Sequence, residues 1–143
     1  MPIRTYAWSS DLSGSMRAAG GVGGLLAVIC YGSAPTNCFP AFDGNGNVAA
    51  LIHAADGTAA ANDEYAAFGE PVRVSGVMAG NNPFRFSTKY ADDESDLFYY
   101  GYRYYKPSLR RQVSVWHANS CRCGDAISPN PFQQAPRNLF LTL

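Results

Sequence analysis

The turn signals of this chain are its strongest constraint. Asp43-Gly44-Asn45-Gly46-Asn47 contains both Asp-Gly and Asn-Gly, the dipeptides that tolerate the positive φ angles of tight hairpins. Asp56-Gly57, Gly69-Glu70-Pro71 and Ala79-Gly80-Asn81-Asn82-Pro83 interrupt the chain again. A chain broken this often has no room for long helices. The short runs between the breaks are rich in β-branched and aromatic residues, which suit strands. Strands are expected over 24–31, 38–42, 48–53, 59–68, 72–75, 84–90 and 97–105. Breaks about 8–15 residues apart imply an antiparallel meander of hairpins. The expected fold class is therefore all-β, built of antiparallel hairpins.

Composition narrows the function. The 143 residues carry 11 basic and 11 acidic side chains, with no basic run. A phosphate-binding surface needs a basic excess, so nucleic acid is not an expected partner. A hydrophobic fraction of 47% excludes wholesale disorder. The apolar stretch 18–31 follows Arg17 and loosely imitates a signal peptide. Asp11 and four interspersed glycines argue against that reading, and the stretch is shorter than the roughly 20 residues a membrane span needs. It reads instead as a buried Gly-rich strand pair. No membrane insertion is expected, and the chain as written is expected in the cytoplasm.

Candidate chemistry is sparse. Cys30 and Cys38 could bridge if a hairpin made them face each other. His117, Cys121 and Cys123 lie close in sequence, but Cys-Arg-Cys without a second ligand pair is a poor zinc pattern. The acidic run Asp92-Asp93-Glu94-Ser95-Asp96 lacks the central Gly of a calcium loop and reads as a hairpin tip. Gly14, Gly20, Gly21, Gly23 and Gly24 lack the Lys-Ser/Thr of a phosphate loop. Neither His53 nor His117 has an evident nucleophile partner. No enzyme activity, cofactor or metal is expected. The aromatic run 97–105 reads as a ladder inside stacked sheets. An alternative is a small binding module for carbohydrate or protein, with Tyr100, Tyr102 and Tyr104 exposed on one strand face.

Order along the chain carries a resemblance. Phe42-Asp43-Gly44-Asn45-Gly46-Asn47-Val48, then Asp56-Gly57-Thr58, then Tyr65 and Phe68-Gly69-Glu70-Pro71, resembles the YD-repeat or RHS-repeat family. Phe42 stands where its repeats carry Tyr. Asn82-Pro83-Phe84-Arg85-Phe86, Thr88-Lys89-Tyr90 and Gly101-Tyr102-Arg103-Tyr104-Tyr105 are similar to the start of the RHS repeat-associated core. The leader Thr5-Tyr6-Ala7-Trp8 and Gly20 to Leu26 are similar to bacterial members. The likeness covers about residues 3–110.

The resemblance implies large secreted or cell-surface bacterial proteins. Their hairpins spiral into a hollow shell, in many cases around a variable C-terminal toxin. It implies that this segment is scaffold, that its partners are the rest of a shell or a toxin segment, and that free strand edges could self-associate.

After Leu109 the likeness ends. The family continues with Gly-Arg-(Trp/Phe)-x-Ser and Asp-Pro-(Ile/Leu)-Gly; here stand Arg110-Arg111-Gln112-Val113-Ser114-Val115-Trp116-His117. Codons for Arg-Gln-Val, shifted by one base, can encode Gly-Arg-(Cys/Trp), and those for Trp-His-Ala-Asn can encode Gly-Thr-Pro-Ile. The expectation is a hairpin region over 1–109 and an irregular, frameshifted tail over 110–143. Asp125 is not followed by Pro, so the tail lacks the motif tied to self-cleavage in the family.

Overall fold

The structure, a computed structural model, describes residues 4–31, 35–113 and 140–142. It is all-β, as the turn spacing requires. The strands are β1 (Arg4–Trp8), β2 (Leu25–Cys30), β3 (Thr36–Phe42), β4 (Val48–His53), β5 (Ala59–Tyr65) and β6 (Pro71–Ser75), followed by β7 (Tyr90–Asp92), β8 (Leu97–Tyr99), β9 (Tyr104–Lys106), β10 (Arg111–Val113) and β11 (Phe140–Thr142). One sheet has the order β11-β1-β2-β3-β4-β5-β6 and the other β10-β9-β8-β7. The β1–β11 pair is parallel and every other pair is antiparallel. From β1 to β6 each strand pairs with its successor, the meander read from the turns.

Register explains the core. Tyr6 pairs with Val28, Val28 with Cys38, and Cys38 with His53, so these side chains share one face of the large sheet. Leu51 and Ala61 pair on that same face, two residues on from His53. Tyr6, Leu25, Val28, Val48 and Leu51 are buried there. Phe84, from the segment joining the sheets, packs edge-on against Tyr6 and Trp8, with ring centroids 4.9 and 5.0 Å away. Such pairs add about 0.5–1.5 kcal/mol each beyond burial.

Four expected strands need correction. Residues 84–90 do not form one strand. Phe84 makes an isolated bridge to Tyr90, and Phe86–Thr88 form a 3-10 turn with φ of 52° at Ser87 and Thr88. Side-chain hydrogen bonds to neighbouring turns, described below, hold that backbone away from the extended form. Residues 97–105 divide into β8 and β9. Gly101 takes φ 84°, and Tyr100 N donates to Arg103 O, closing a hairpin. β5 ends at Tyr65, because Ala66 N donates to Glu70 O and Gly69 N to Ala66 O, turning the chain three residues early. The Gly-rich strand pair over 18–31 is one strand, β2. Its glycines lie in the loop after β1, where the Asp11 carboxylate accepts hydrogen bonds from Ser13 N, Ala19 N and Gly21 N.

Two strands fall after Leu109, where irregular structure was expected. β10 pairs with β9, and β11 pairs with β1. The acidic run does form the β7–β8 turn, with Asp96 at φ 57°.

Candidate functional site

The sequence motifs converge on the seam where the 84–89 segment crosses the large sheet. Asp43 Oδ1 accepts hydrogen bonds from Asn45 N and Asn47 N, both at 2.9 Å, and Oδ2 accepts from Asn47 Nδ2 at 2.7 Å. Burial works against the Asp43 charge, but these hydrogen bonds outweigh it and hold the carboxyl below its ordinary value. The turn so fixed then grips the crossing segment. Asn47 Oδ1 accepts from Ser87 N at 2.7 Å, and Val48 N donates to Arg85 O at 3.1 Å. Thr88 Oγ1 donates to Gly46 O at 2.7 Å and accepts from Gly23 N at 2.9 Å.

Gly69 belongs to the same seam. Its φ is 85°, and a Cβ there would lie 2.6 Å from Phe86 Cδ1. Only glycine satisfies both the turn and the close ring. Phe86 packs edge-on against Tyr65 and Phe98, bridging the two sheets. Phe42 packs against the core, and Pro71 opens β6.

Beside the turn lies a cleft of about 460 Å³, lined by Asp43, Asn45, Asp63, Tyr65 and Phe86 among others. Asp63 and Arg85 are both buried here, their side chains 6% and 9% exposed, with Arg85 Nη1 4.0 Å from Asp63 Oδ2. Arg85 is mostly committed elsewhere, donating from Nη2 to Ala79 O at 2.8 Å and from Nε to Asn82 O at 3.3 Å. Asp63 Oδ1 has no hydrogen-bond partner. Burial therefore raises the Asp63 pKa despite the opposing pull of Arg85. The Tyr65 hydroxyl donates to Val48 O at 2.8 Å, and burial, reinforced by the Asp63 charge, pushes its pKa upward.

Asp43 and Asp63 thus have carboxyl groups shifted in opposite directions, a pattern that can separate acid from base roles. The cleft lining holds no His, Cys or Lys that such a pair could activate. Among the described residues, no group of three His, Cys, Asp or Glu side chains is placed to hold a metal ion. The seam's hydrogen bonds and ring contacts join the 43–47 turn, the 84–89 segment and the two sheets.

The structure adds one pair that the sequence reading missed. Cys38 Sγ lies 3.8 Å from His53 Nδ1, because the two are cross-strand partners. Counting outward from the 43–47 turn pairs Cys38 with Ile52; the bulge at Ala41/Phe42 shifts the register by one and brings His53 opposite. Cys38 is fully buried, and burial raises its thiol pKa, which suppresses the reactive thiolate. Cys30 and Cys38 are both free: Cys30 registers with Thr36 and Cys38 with Val28, so they do not face each other. His117, Cys121, Cys123 and Asp125 lie outside the described residues.

The nominated tyrosines do not share a strand face. Tyr100 is half-buried, packs against Tyr105 with ring centroids 6.2 Å apart, and has Lys89 Nζ 5.3 Å from its ring centre. Tyr102 is fully exposed at the hairpin tip beside Gly101. Tyr104 lies against Tyr99 across the β8–β9 pair. The row that forms is Tyr90, Tyr99 and Tyr104, successive partners across β7, β8 and β9. Arg103 Nη1 donates to Gln112 Oε1, and the Tyr105 hydroxyl donates to Phe68 O.

No family model matches this chain, and no curated protein matches it. Solved structures do. Crystal structures of TcdB2-TccC3, including one without its hypervariable C-terminal region, align at TM-score 0.54 and 23% identity over 62% of the chain. The Tc holotoxin pore of Photorhabdus luminescens aligns at TM-score 0.51 and 20% identity over 67%. At these identities the likeness is one of fold. The chain spans only 4% to 6% of the length of those solved chains.

Proposed function

We propose that this chain is a non-catalytic structural segment of an RHS-repeat protein, whose intact parent forms a β-shell that encloses or delivers a C-terminal toxin. The observation that carries this reading is the seam. Residues marking the YD-repeat and core resemblance are spent on locking hairpins together: Asp43 and Asn47 on the turn, Thr88 against it, Gly69 under Phe86. A residue set used this way is scaffold. The fold likeness to Tc toxin structures supports the same assignment. Each hairpin of such a scaffold buries its faces mainly against neighbours, so closing a shell takes many more repeats than this chain holds. Secretion or surface location belongs to the parent in this reading.

The test is to read the encoding DNA in all three frames on both sides of this chain. The expected result is further hairpins of the Tyr-Asp and Gly-Asn kind, with a Trp-x-Ser and Asp-Pro-Ile-Gly-like continuation in another frame after the Leu109 codon. Featureless sequence in every frame would overturn the reading.

A further inference from the structure

The cleft beside the 43–47 turn, about 460 Å³, falls within the roughly 300–1,000 Å³ range of sites that hold small molecules. Its charged lining residues are Asp43, Asp63 and Glu64, all carboxylates, and Tyr65 and Phe86 line it as well. Asp43 is held by neutral N–H donors of Asn45 and Asn47, which leave its negative charge in place. Glu64 shares its charge with Arg73, 3.5 Å away. Asp63 carries the open group. Its side chain is 6% exposed, and both Arg85 Nη1 at 4.0 Å and the Tyr65 hydroxyl at 3.3 Å lie on its Oδ2 side. Among the described residues Oδ1 has no hydrogen-bond partner. A buried carboxylate oxygen without a donor is costly, and such groups ordinarily find one.

The lining indicates which donor fits. A metal ion needs several ligands converging on one point, and among the described residues no group of three His, Cys, Asp or Glu side chains is so placed. An anion would meet three carboxylates. The fitting ligand is a cation that spreads its N–H donors over several atoms and tolerates aromatic walls. A guanidinium has five N–H donors in one plane, is weakly hydrated and packs on aromatic rings. An ammonium is a compact, strongly hydrated point charge that suits such walls less well.

We propose that this cleft binds a guanidinium group, that of free arginine or of an arginine side chain in a polypeptide, with Asp63 Oδ1 accepting its N–H donors, Asp43 adding negative charge and the Tyr65 and Phe86 rings flanking it. The site does not depend on the toxin-shell reading: a cleft that binds no guanidinium would refute the site and leave that reading untouched.

The experiment is titration of the full chain with methylguanidinium at low salt, followed by amide NMR shifts. The expected result is saturable one-to-one binding that moves the amides of residues 43–47 and 63–67. Tetramethylammonium, which carries the charge without N–H donors, should not bind. Asp63→Asn removes the charge that meets the ligand and weakens binding by about tenfold or more. Ala67→Phe, at an exposed position on the cleft lining, should block the site by bulk with Asp63 intact. Circular dichroism of both variants should match the parent chain. Arginine and the peptide amide Gly-Arg-Gly separate the two sources: binding of arginine alone marks a free small molecule, binding of both marks a polypeptide side chain, and either supports the site. No saturable binding of methylguanidinium, equal binding of tetramethylammonium, or binding indifferent to both Asp63→Asn and Ala67→Phe would each overturn the proposal.

Discussion

Thr88 is the residue on which the seam turns, and its replacement by valine gives the sharpest test of how the sheets are held. The side chain is 3% exposed and its φ is 52°, an unfavourable backbone for a β-branched residue. Its hydroxyl joins three segments, donating to Gly46 O in the 43–47 turn and accepting from Gly23 N in the glycine loop. Valine has nearly the same shape and the same β-branching, so backbone strain cancels in the comparison. What remains is one buried carbonyl and one part-buried N–H left without partners. At about 1–3 kcal/mol for the first and about 1 for the second, Thr88→Val should cost about 2–4 kcal/mol. Thr88→Ser keeps both hydrogen bonds and loses one methyl group, so it should stay within about 1 kcal/mol of the parent. Equilibrium urea unfolding of the three proteins, with matched m-values, measures both differences. If Thr88→Val lies within about 0.5 kcal/mol of the parent, the hydroxyl does not hold the seam and the reasoning fails.

Gly69→Ala must strain a φ of 85° and displace the Phe86 ring, so a loss of about 2–4 kcal/mol is expected by the same unfolding assay. Leu51→Ala opens the centre of the large-sheet core and should cost about 2–5 kcal/mol. Asp43 is held below the ordinary carboxylate value of 3.8, so its contribution is full above that pH and is lost as pH falls through the lowered folded value. Asp43→Asn should therefore be less stable than the parent at pH 7, and the gap should narrow as pH falls below 3.8 and the parent carboxyl takes up its proton; a gap that does not change with pH would contradict the assignment. Tyr102→Ala should change stability by less than about 0.5 kcal/mol, since the ring is fully exposed; a larger loss in urea unfolding would show that the hairpin tip is packed.

Much of this fold was legible without coordinates. Turn dipeptides bias the backbone locally, through φ angles that few residues tolerate, so Asp43 to Asn47, Asp56-Gly57 and the acidic tip at Asp92 to Asp96 can be read one segment at a time. The alternation between those turns places β3, β4 and β6 within a residue or two of the expected strands. Two things resisted. The segment 84–90 is as aromatic as any strand, yet it is bent by partners 40 to 65 residues away, Asn47, Gly46 and Gly23, which local propensity cannot register. The run 97–105 looked continuous because aromatics favour extended backbone at every position, and the single Gly101 that breaks it was outweighed. With the run divided, the cross-strand tyrosine row is Tyr90, Tyr99 and Tyr104, in place of Tyr100, Tyr102 and Tyr104.

The sequence by itself determined the all-β class, the hairpin order and the motif residues, because each depends on contacts between near neighbours in the chain. Only the tertiary structure decided what those motif residues do. It set the Cys38–His53 pair, buried Asp63 beside Arg85, and placed β6 at the end of its sheet among the described residues. Each of these depends on which distant segments meet, and that is settled by the packing of the two sheets across the seam.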